Sequence, residues 1–345
     1  MTFSVQNTTT EQDERAALAQ FCARLGRDPL LVQGAGGNAS VKQGDALWVK
    51  ASGFWLAEAA EKAIFLPVDL PKLQAALTAE DFSVTPQPLG ESGLRPSIET
   101  LLHALMPQRY VLHLHAVDAL AHLVRQDAQA TLPHALGALA AQAAWVGYAQ
   151  PGAPLAHAVS SALATHPGTS LLLLQNHGIV LGASTQTALE ILLADVLAHL
   201  RLAPKSLPVT PAAPPPAGYV PIRDARLHAL AQNVSLAARL TSDWALYPDH
   251  VVFLGAKPVV YANMAACRAA LASADATSPD LCFVLGQGTY TRPEFSAAKL
   301  AQLQCYFEVL IRLADDARCA ALNDSAVAAL LNWDAEKYRQ KIAKC

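Results

Sequence analysis

The chain has 345 residues, room for one large domain or two medium ones, and 52% apolar residues are enough to fill a core. Charged residues make up only 15%, and 25 Lys and Arg against 28 Asp and Glu leave a net charge of −3, which excludes the basic footprint of a nucleic-acid or anionic-membrane binder. There is no run of about 18 apolar residues to span a membrane and no basic-then-apolar leader, and six scattered cysteines without a CxxC pair read as reduced thiols in a cytoplasmic protein.

Residues 10–25 predict a first helix, capped by Thr9 or Thr10, with Leu18, Phe21, Cys22 and Leu25 as its apolar stripe. The loop that follows carries Gly34, Gly36 and Gly37, and two short strands, Ala39–Lys42 and Ala46–Lys50, are predicted around the turn Gln43-Gly44-Asp45. The glycines are either a tight lead-in to this hairpin or an anion cradle built from backbone N–H groups, the Asn38 amide and the Ser52 hydroxyl. The loop is neither a Walker loop nor a dinucleotide fingerprint, because no GK[ST] ends it and no GxGxxG opens a helix.

Residues 54–90 read as connecting structure with a small helix at Leu70–Thr78. Ser97 is the expected N-cap of a short helix, Ile98–Met106, which Pro107 ends. Tyr110–Ala116 alternates and is β-rich, so His113 and His115 share one face and Leu112 and Leu114 the other. Residues 118–165 read as helical apart from VGYAQPGAPL. In SLLLLQNHGIVLGA two buried strands flank a polar island that holds His177, and a helix over Thr185–Leu202 follows. Six prolines in 203–218 exclude helix and central strand, which predicts an extended linker between a region 1–202 and a C-terminal α/β region 219–345. In that region the expectations are a helix over 224–240, a strand HVVFLG, a helix Met264–Ser273, a strand–turn–strand LCFVLGQGTYT, a long helix Glu294–Asp316 and a terminal helix with Trp333 and Tyr338.

The pattern of 170–200 returns in 280–313, and MPQRYVLHLHA loosely resembles YPDHVVFLGA, which suggests a degenerate repeat. In that alignment Leu254 and Gly255 stand near the place of the histidine pair, and Gln287 or Gly288 near that of His177.

A lone histidine on an apolar strand is more often a satisfied core residue than a ligand. Two at i and i+2 with a third in a polar island make a three-imidazole set that leaves a fourth metal position open, the pattern of a catalytic rather than a structural zinc site. Glu99 reads either as a first-turn acid favoured by the helix dipole or as a general acid/base whose pKa an apolar setting raises. His103 reads as an outer-shell partner of the site or, by preference, as a helix-surface residue, and His250 as a residue reaching a neighbouring site or, by preference, as a turn cap.

Together, QGAGGNASVK, LWVKASG, PSIETLLHALMPQRYVLHLHA and LLQNHGIVLG resemble the class II aldolase/adducin family over roughly residues 12–200. LWVKASG, the short link from Glu99 to His113 and the tail from PDH to LNWDAEKY are most similar to the aldolase part of the long rhamnulose-phosphate aldolase/alcohol dehydrogenase proteins, here without a dehydrogenase domain. The resemblance implies a three-layer α/β/α fold with a mostly antiparallel central sheet and a homo-oligomer, tetramer or dimer. It implies zinc, or a similar divalent ion such as manganese or cobalt, on His113, His115 and His177, with Glu99 as catalytic acid/base. It further implies a substrate phosphate near Gly37, Asn38, Ser52, Gly53 and Ser97, with Lys50 in reserve. Ala35 and Ile98 depart from the fuculose-phosphate enzyme, which has hydroxyl residues there. The activity implied is cleavage or formation of a C–C bond in a ketose phosphate through a metal-stabilised enediolate, with Tyr148 a candidate acid for the departing aldehyde oxygen. Epimerisation or dehydration on the same site, and an adducin-like scaffold without catalysis, are the alternatives.

Overall fold

The structure, a computed structural model, describes residues 4–273 and 278–335, so the expected helical position of Tyr338 lies outside the described residues. In chain order the elements are α1 (Ser4–Gly26), β1 (Asn38–Gln43), β2 (Ala46–Lys50), β3 (Phe65–Asp69), α2 (Leu70–Thr78), α3 (Thr100–Leu105), β4 (Tyr110–Leu114), α4 (Val117–Leu123), α5 (Ala128–Leu136), β5 (Ala143–Val146), α6 (Ala153–Thr165), β6 (Leu171–Leu174), β7 (Gly178–Ala183) and α7 (Gln186–His199). The C-terminal part adds β8 (Val220–Pro221), α8 (Ala229–Gln232), α9 (Val234–Ser242), α10 (Pro248–Leu254), β9 (Val260–Tyr261), α11 (Met264–Ser273), β10 (Leu281–Val284), β11 (Gly288–Thr291), α12 (Ala297–Leu310) and α13 (Asp324–Asn332).

Seven strands form the main sheet in the order β3-β2-β1-β4-β7-β6-β5, antiparallel throughout except for the parallel pair β5–β6. The two-residue period of the strands sorts their side chains into two cores. Tyr110, Leu112 and Leu114 of β4 and Ile179 and Leu181 of β7 pack with α1, α4, α5 and α7 on one face. Val111, Val180, Leu172 and Leu174 pack with α2, α3 and α6 on the other. This is the expected three-layer α/β/α arrangement. His113, in register with Val180, projects to the α2/α3/α6 side, where α3 brings Glu99.

Several local expectations change. β3 and β5 lie in stretches read as connecting or helical. HVVFLG is not a strand but part of α10: Pro248 occupies its first turn, and Pro248 to Phe253 are all buried, so no hydrophobic period distinguishes helix from strand. The helix expected over 224–240 breaks at Asn233, whose side chain accepts from Leu236 N and starts α9. α12 begins only after Ser296, which caps it by accepting from Lys299 N. α1 starts at Ser4, so Thr9 and Thr10 lie inside it.

The segment 203–218 contains no helix or strand. Residues on both sides of it share one apolar cluster, in which Val117, Leu120, Ala121 and Val124 around α4 meet Leu246, Val251, Leu303 and Leu310. Asn176 ties the two parts polarly by donating from its amide to Leu246 O (2.8 Å) and Ala320 O (2.7 Å).

The repeat is visible in the topology, in a different register from the one expected. The small sheet runs β8-β11-β10-β9 with β9–β10 parallel and the other pairs antiparallel, which reproduces the β4-β7-β6-β5 half of the large sheet. The turn residues match as well, since Asn176 (φ 55°) and Gly178 (φ 153°) correspond to Gly286 (φ 72°) and Gly288 (φ 150°). With Gly178 on Gly288, strand register puts Pro221 and Arg223 where the first copy has His113 and His115, and Gln287 where it has His177. The segment around Leu254 and Gly255 is not the counterpart of β4; it is the end of α10.

Candidate metal centre

β4 carries His113 and His115 to the end of the sheet, and the turn before β7 brings His177 against them. Gly178 makes this approach possible, because a Cβ there would sit 2.3 Å from Leu114 O. The three imidazoles are buried, with one ring nitrogen from each within 4.8 Å of the others. His113 Nε2 and His115 Nε2 are 3.0 Å apart.

Hydrogen bonds set the tautomers. His113 Nδ1–H donates to Ile179 O at 3.0 Å, which leaves the Nε2 lone pair facing the cluster. His115 Nδ1 lies 3.3 Å from the Asp249 carboxylate, which does the same for its Nε2. Burial pushes the His113 pKa down to about 3, against the attraction of Glu99. The two Nε2 atoms face each other in a buried site, an arrangement that a cation between them would satisfy. Two imidazoles on one tetrahedral zinc, at 2.0–2.1 Å each, place their nitrogens about 3.3 Å apart. The donor set and its spacing therefore fit a divalent metal ion.

Glu99 occupies the N-cap position of α3, two residues later than the Ser97 cap expected from sequence, and its side chain makes no capping bond. Its carboxylate turns to the cluster instead, 3.0 Å from His177 Nε2 through Oε1 and 3.4 Å from His113 Nε2 through Oε2. Asn38 Nδ2 donates to Glu99 Oε2 at 2.8 Å. Burial raises the Glu99 pKa, but His113, His177 and His115 together outweigh it and hold the carboxyl well below the usual range. The shift is opposite to the one expected from an apolar setting, because the imidazoles and not the apolar wall dominate.

His103 is a correction of larger consequence. It is 0% exposed rather than on the helix surface. Ser40 Oγ–H donates to its Nδ1 at 2.7 Å, and its Nε2–H donates to Asn38 Oδ1. The ring is neutral, since burial lowers its pKa to about 3. Ser40, His103 and Asn38 thus form one chain of donors that ends on Glu99.

One cavity touches all of the residues expected to hold an anion. Ala35, Gly37, Asn38, Lys50, Ser52, Gly53, Ser97 and Ile98 line it with Glu99, His115 and His177. Their side chains are not equally available. Lys50 Nζ donates to Ala35 O (3.0 Å) and Phe54 O (2.6 Å), and so braces the glycine loop. Asn38 is committed to Glu99 and His103, while the buried Ser52 hydroxyl has no partner. Tyr148 is not among the lining residues.

Pro248 and Asp249 of α10 also line the cavity, and sequence reasoning missed both. His250, which it noticed, is 0% exposed and packs among Trp244, Tyr247 and Tyr306, away from the cavity. The only sequence signal for Asp249 is an acid directly after a helix-initiating proline, which is commonplace.

A family model described as "Class II Aldolase and Adducin N-terminal domain" matches residues 16–194, just over half of the chain. The chain belongs to this family. This class II aldolase/adducin member is 34% identical over 91 residues to the "Uncharacterized oxidoreductase YuxG" of Bacillus subtilis (strain 168); the match covers 26% of the chain and 13% of that protein's length. Similar solved structures include the N-terminal class II aldolase domain of a conserved protein from Thermoplasma acidophilum, with 24% identity and a TM-score of 0.45 over 55% of this chain and 91% of that one. An L-fuculose 1-phosphate aldolase gives 20% and 0.41 over 55% and 83%. Among the described residues no helix is long and apolar enough to cross a membrane.

Proposed function

We propose that this family member is a metal-dependent class II aldolase, a cytoplasmic homo-oligomer that cleaves or forms a C–C bond in a ketose phosphate. The observation that carries the reading is a buried carboxylate, Glu99, held within 3.4 Å of two of three clustered imidazoles. His113, His115 and His177 would hold the ion, zinc or else manganese or cobalt, which when bound supplies Lewis-acid polarisation of a carbonyl and charge stabilisation while the C–C bond breaks. Glu99 moves the proton: it takes one from the carbon beside the carbonyl in the direction of synthesis and returns it after cleavage. Asn38 aims the carboxylate, and His103 and Ser40 hold Asn38.

The phosphate end is assigned to the Ser52 hydroxyl, Ser97 and the backbone at Gly37 and Gly53, with Lys50 and Asn38 supporting the cradle from behind. The cavity of ≈20 Å³ has room for about one water. Residues 1–202 are the catalytic region in this reading, 203–218 a proline-rich connector and 219–345 an appended region.

The test is turnover of a panel of ketose phosphates by the full chain, with product identification. Release of an aldehyde together with a smaller ketone phosphate supports the aldolase. A C4-inverted sugar or a dehydrated product would replace it with an epimerase or a dehydratase on the same site. Failure to bind any divalent ion would remove the reading altogether.

A further inference from the structure

The appended region does more than cover the site. Asp249 sits in the first turn of α10, 2% exposed, with Oδ2 3.3 Å from His115 Nδ1 and 3.4 Å from Gln302 Nε2 of α12. Both elements belong to the second, partial copy of the fold. That copy has Pro221, Arg223 and Gln287 in place of the three histidines, and so has no such cluster of its own at the matching positions. Space for the contact is built into the first copy: a Cβ on Gly36 would lie 2.9 Å from Asp249 Oδ2 and 2.9 Å from His115 Nδ1. The glycine loop therefore contributes a gap as well as backbone N–H groups.

We infer that Asp249 is the positioning residue for His115, so that the 219–345 region completes the metal centre of the 1–202 region within one chain. An imidazole that donates Nδ1–H to a carboxylate is fixed in the tautomer and rotation that present Nε2, and it becomes a stronger donor to a cation. His113 gets its orientation from a main-chain carbonyl, Ile179 O, supplied by the sheet itself. His115, beyond the end of β4, has no such strand neighbour, and Asp249 fills that role. Gln302 in turn steadies Asp249 from α12, whose packing on α4 belongs to the core shared by the two parts.

The inference rests on the proposed metal site, and its test separates the two. Full-length protein freed of metal with a chelator is titrated with Zn²⁺ against a chromophoric competitor, and with Co²⁺ while its visible absorption is followed. Asp249→Ala is expected to bind Zn²⁺ about 100-fold more weakly and to change the Co²⁺ spectrum; Asp249→Asn, which keeps an acceptor but loses the charge, about tenfold more weakly. In a His115→Ala background, Asp249→Ala is expected to add no further loss. Unchanged affinity in Asp249→Asn, or a fully additive loss in the double variant, overturns the inference while leaving the proposed function standing. If Asp249→Ala does not fold, the near-isosteric Asn variant decides alone. If the unsubstituted chain binds neither ion, the proposed function fails and takes this inference with it.

Discussion

Asn38 stands directly opposite His113 across β1 and β4, so the two side chains share a face, and Asn38 donates to Glu99 Oε2 at 2.8 Å. One register therefore places a metal-ligand candidate and the clamp on the proton carrier side by side. His103→Ala removes the donor that holds Asn38 Oδ1 and leaves buried polar groups unpaired, at a cost of about 1–3 kcal/mol. The expected result is a lower midpoint in urea unfolding, with turnover reduced more than substrate affinity. Wild-type kcat in a folded variant would show that Asn38 needs no support.

Glu99→Gln keeps the size of the side chain but removes the base. The three imidazoles remain, so bound metal measured by elemental analysis is expected to stay near one ion per chain, while turnover falls by about 10²–10⁴-fold. Full activity would sink the role given to Glu99.

Metal binding is expected to stabilise the fold, because the imidazoles converge only in the folded chain. At a free ion concentration of 100 times Kd the gain is about 2.7 kcal/mol, which appears as a rise in Tm on adding Zn²⁺ to the metal-free protein. His177→Ala is expected to abolish that rise. The same rise in the variant would place the ion elsewhere.

Acid sensitivity has an identifiable source outside the centre. His250 is fully buried and burial pushes its pKa to about 3, against 6.5 for an ordinary histidine. Between those values the unfolded chain takes up a proton that the folded chain refuses, so stability rises with pH across that window by up to about 1.4 kcal/mol per unit per such histidine. It is fully present above pH 6.5 and is lost as pH falls toward 3. His250→Phe, which keeps a ring among Trp244, Tyr247 and Tyr306, is expected to make the slope of unfolding free energy between pH 5 and 6.5 shallower by about one proton. An unchanged slope would rule out a buried neutral His250.

Lys50 gives the last expectation. Its ammonium is held by Ala35 O and Phe54 O on either side of the hairpin. Lys50→Met is expected to destabilise the chain by about 1–3 kcal/mol, by leaving those carbonyls without this donor. A variant as stable as the parent but with a raised KM for a phosphorylated substrate would instead assign Lys50 to the anion.

Local sequence determined the parts of this protein that depend on short-range geometry. Alternation put His113 and His115 on one face of β4 and Leu112 and Leu114 on the other, because successive strand residues must point oppositely. Six prolines kept 203–218 out of helix and sheet, because proline fixes φ and lacks an N–H. The tertiary structure decided what had no local signal. HVVFLG is apolar on every side, so only its packing made it α10 and delivered Asp249 to His115. His103 lies on a helix of six residues, too short to show an inner and an outer face in its sequence, and burial between β1 and α3 turned it into the support of Asn38. Glu99 offered an apolar environment on paper, but the sign of its pKa shift depends on three imidazoles that only the folded sheet brings within a few ångströms.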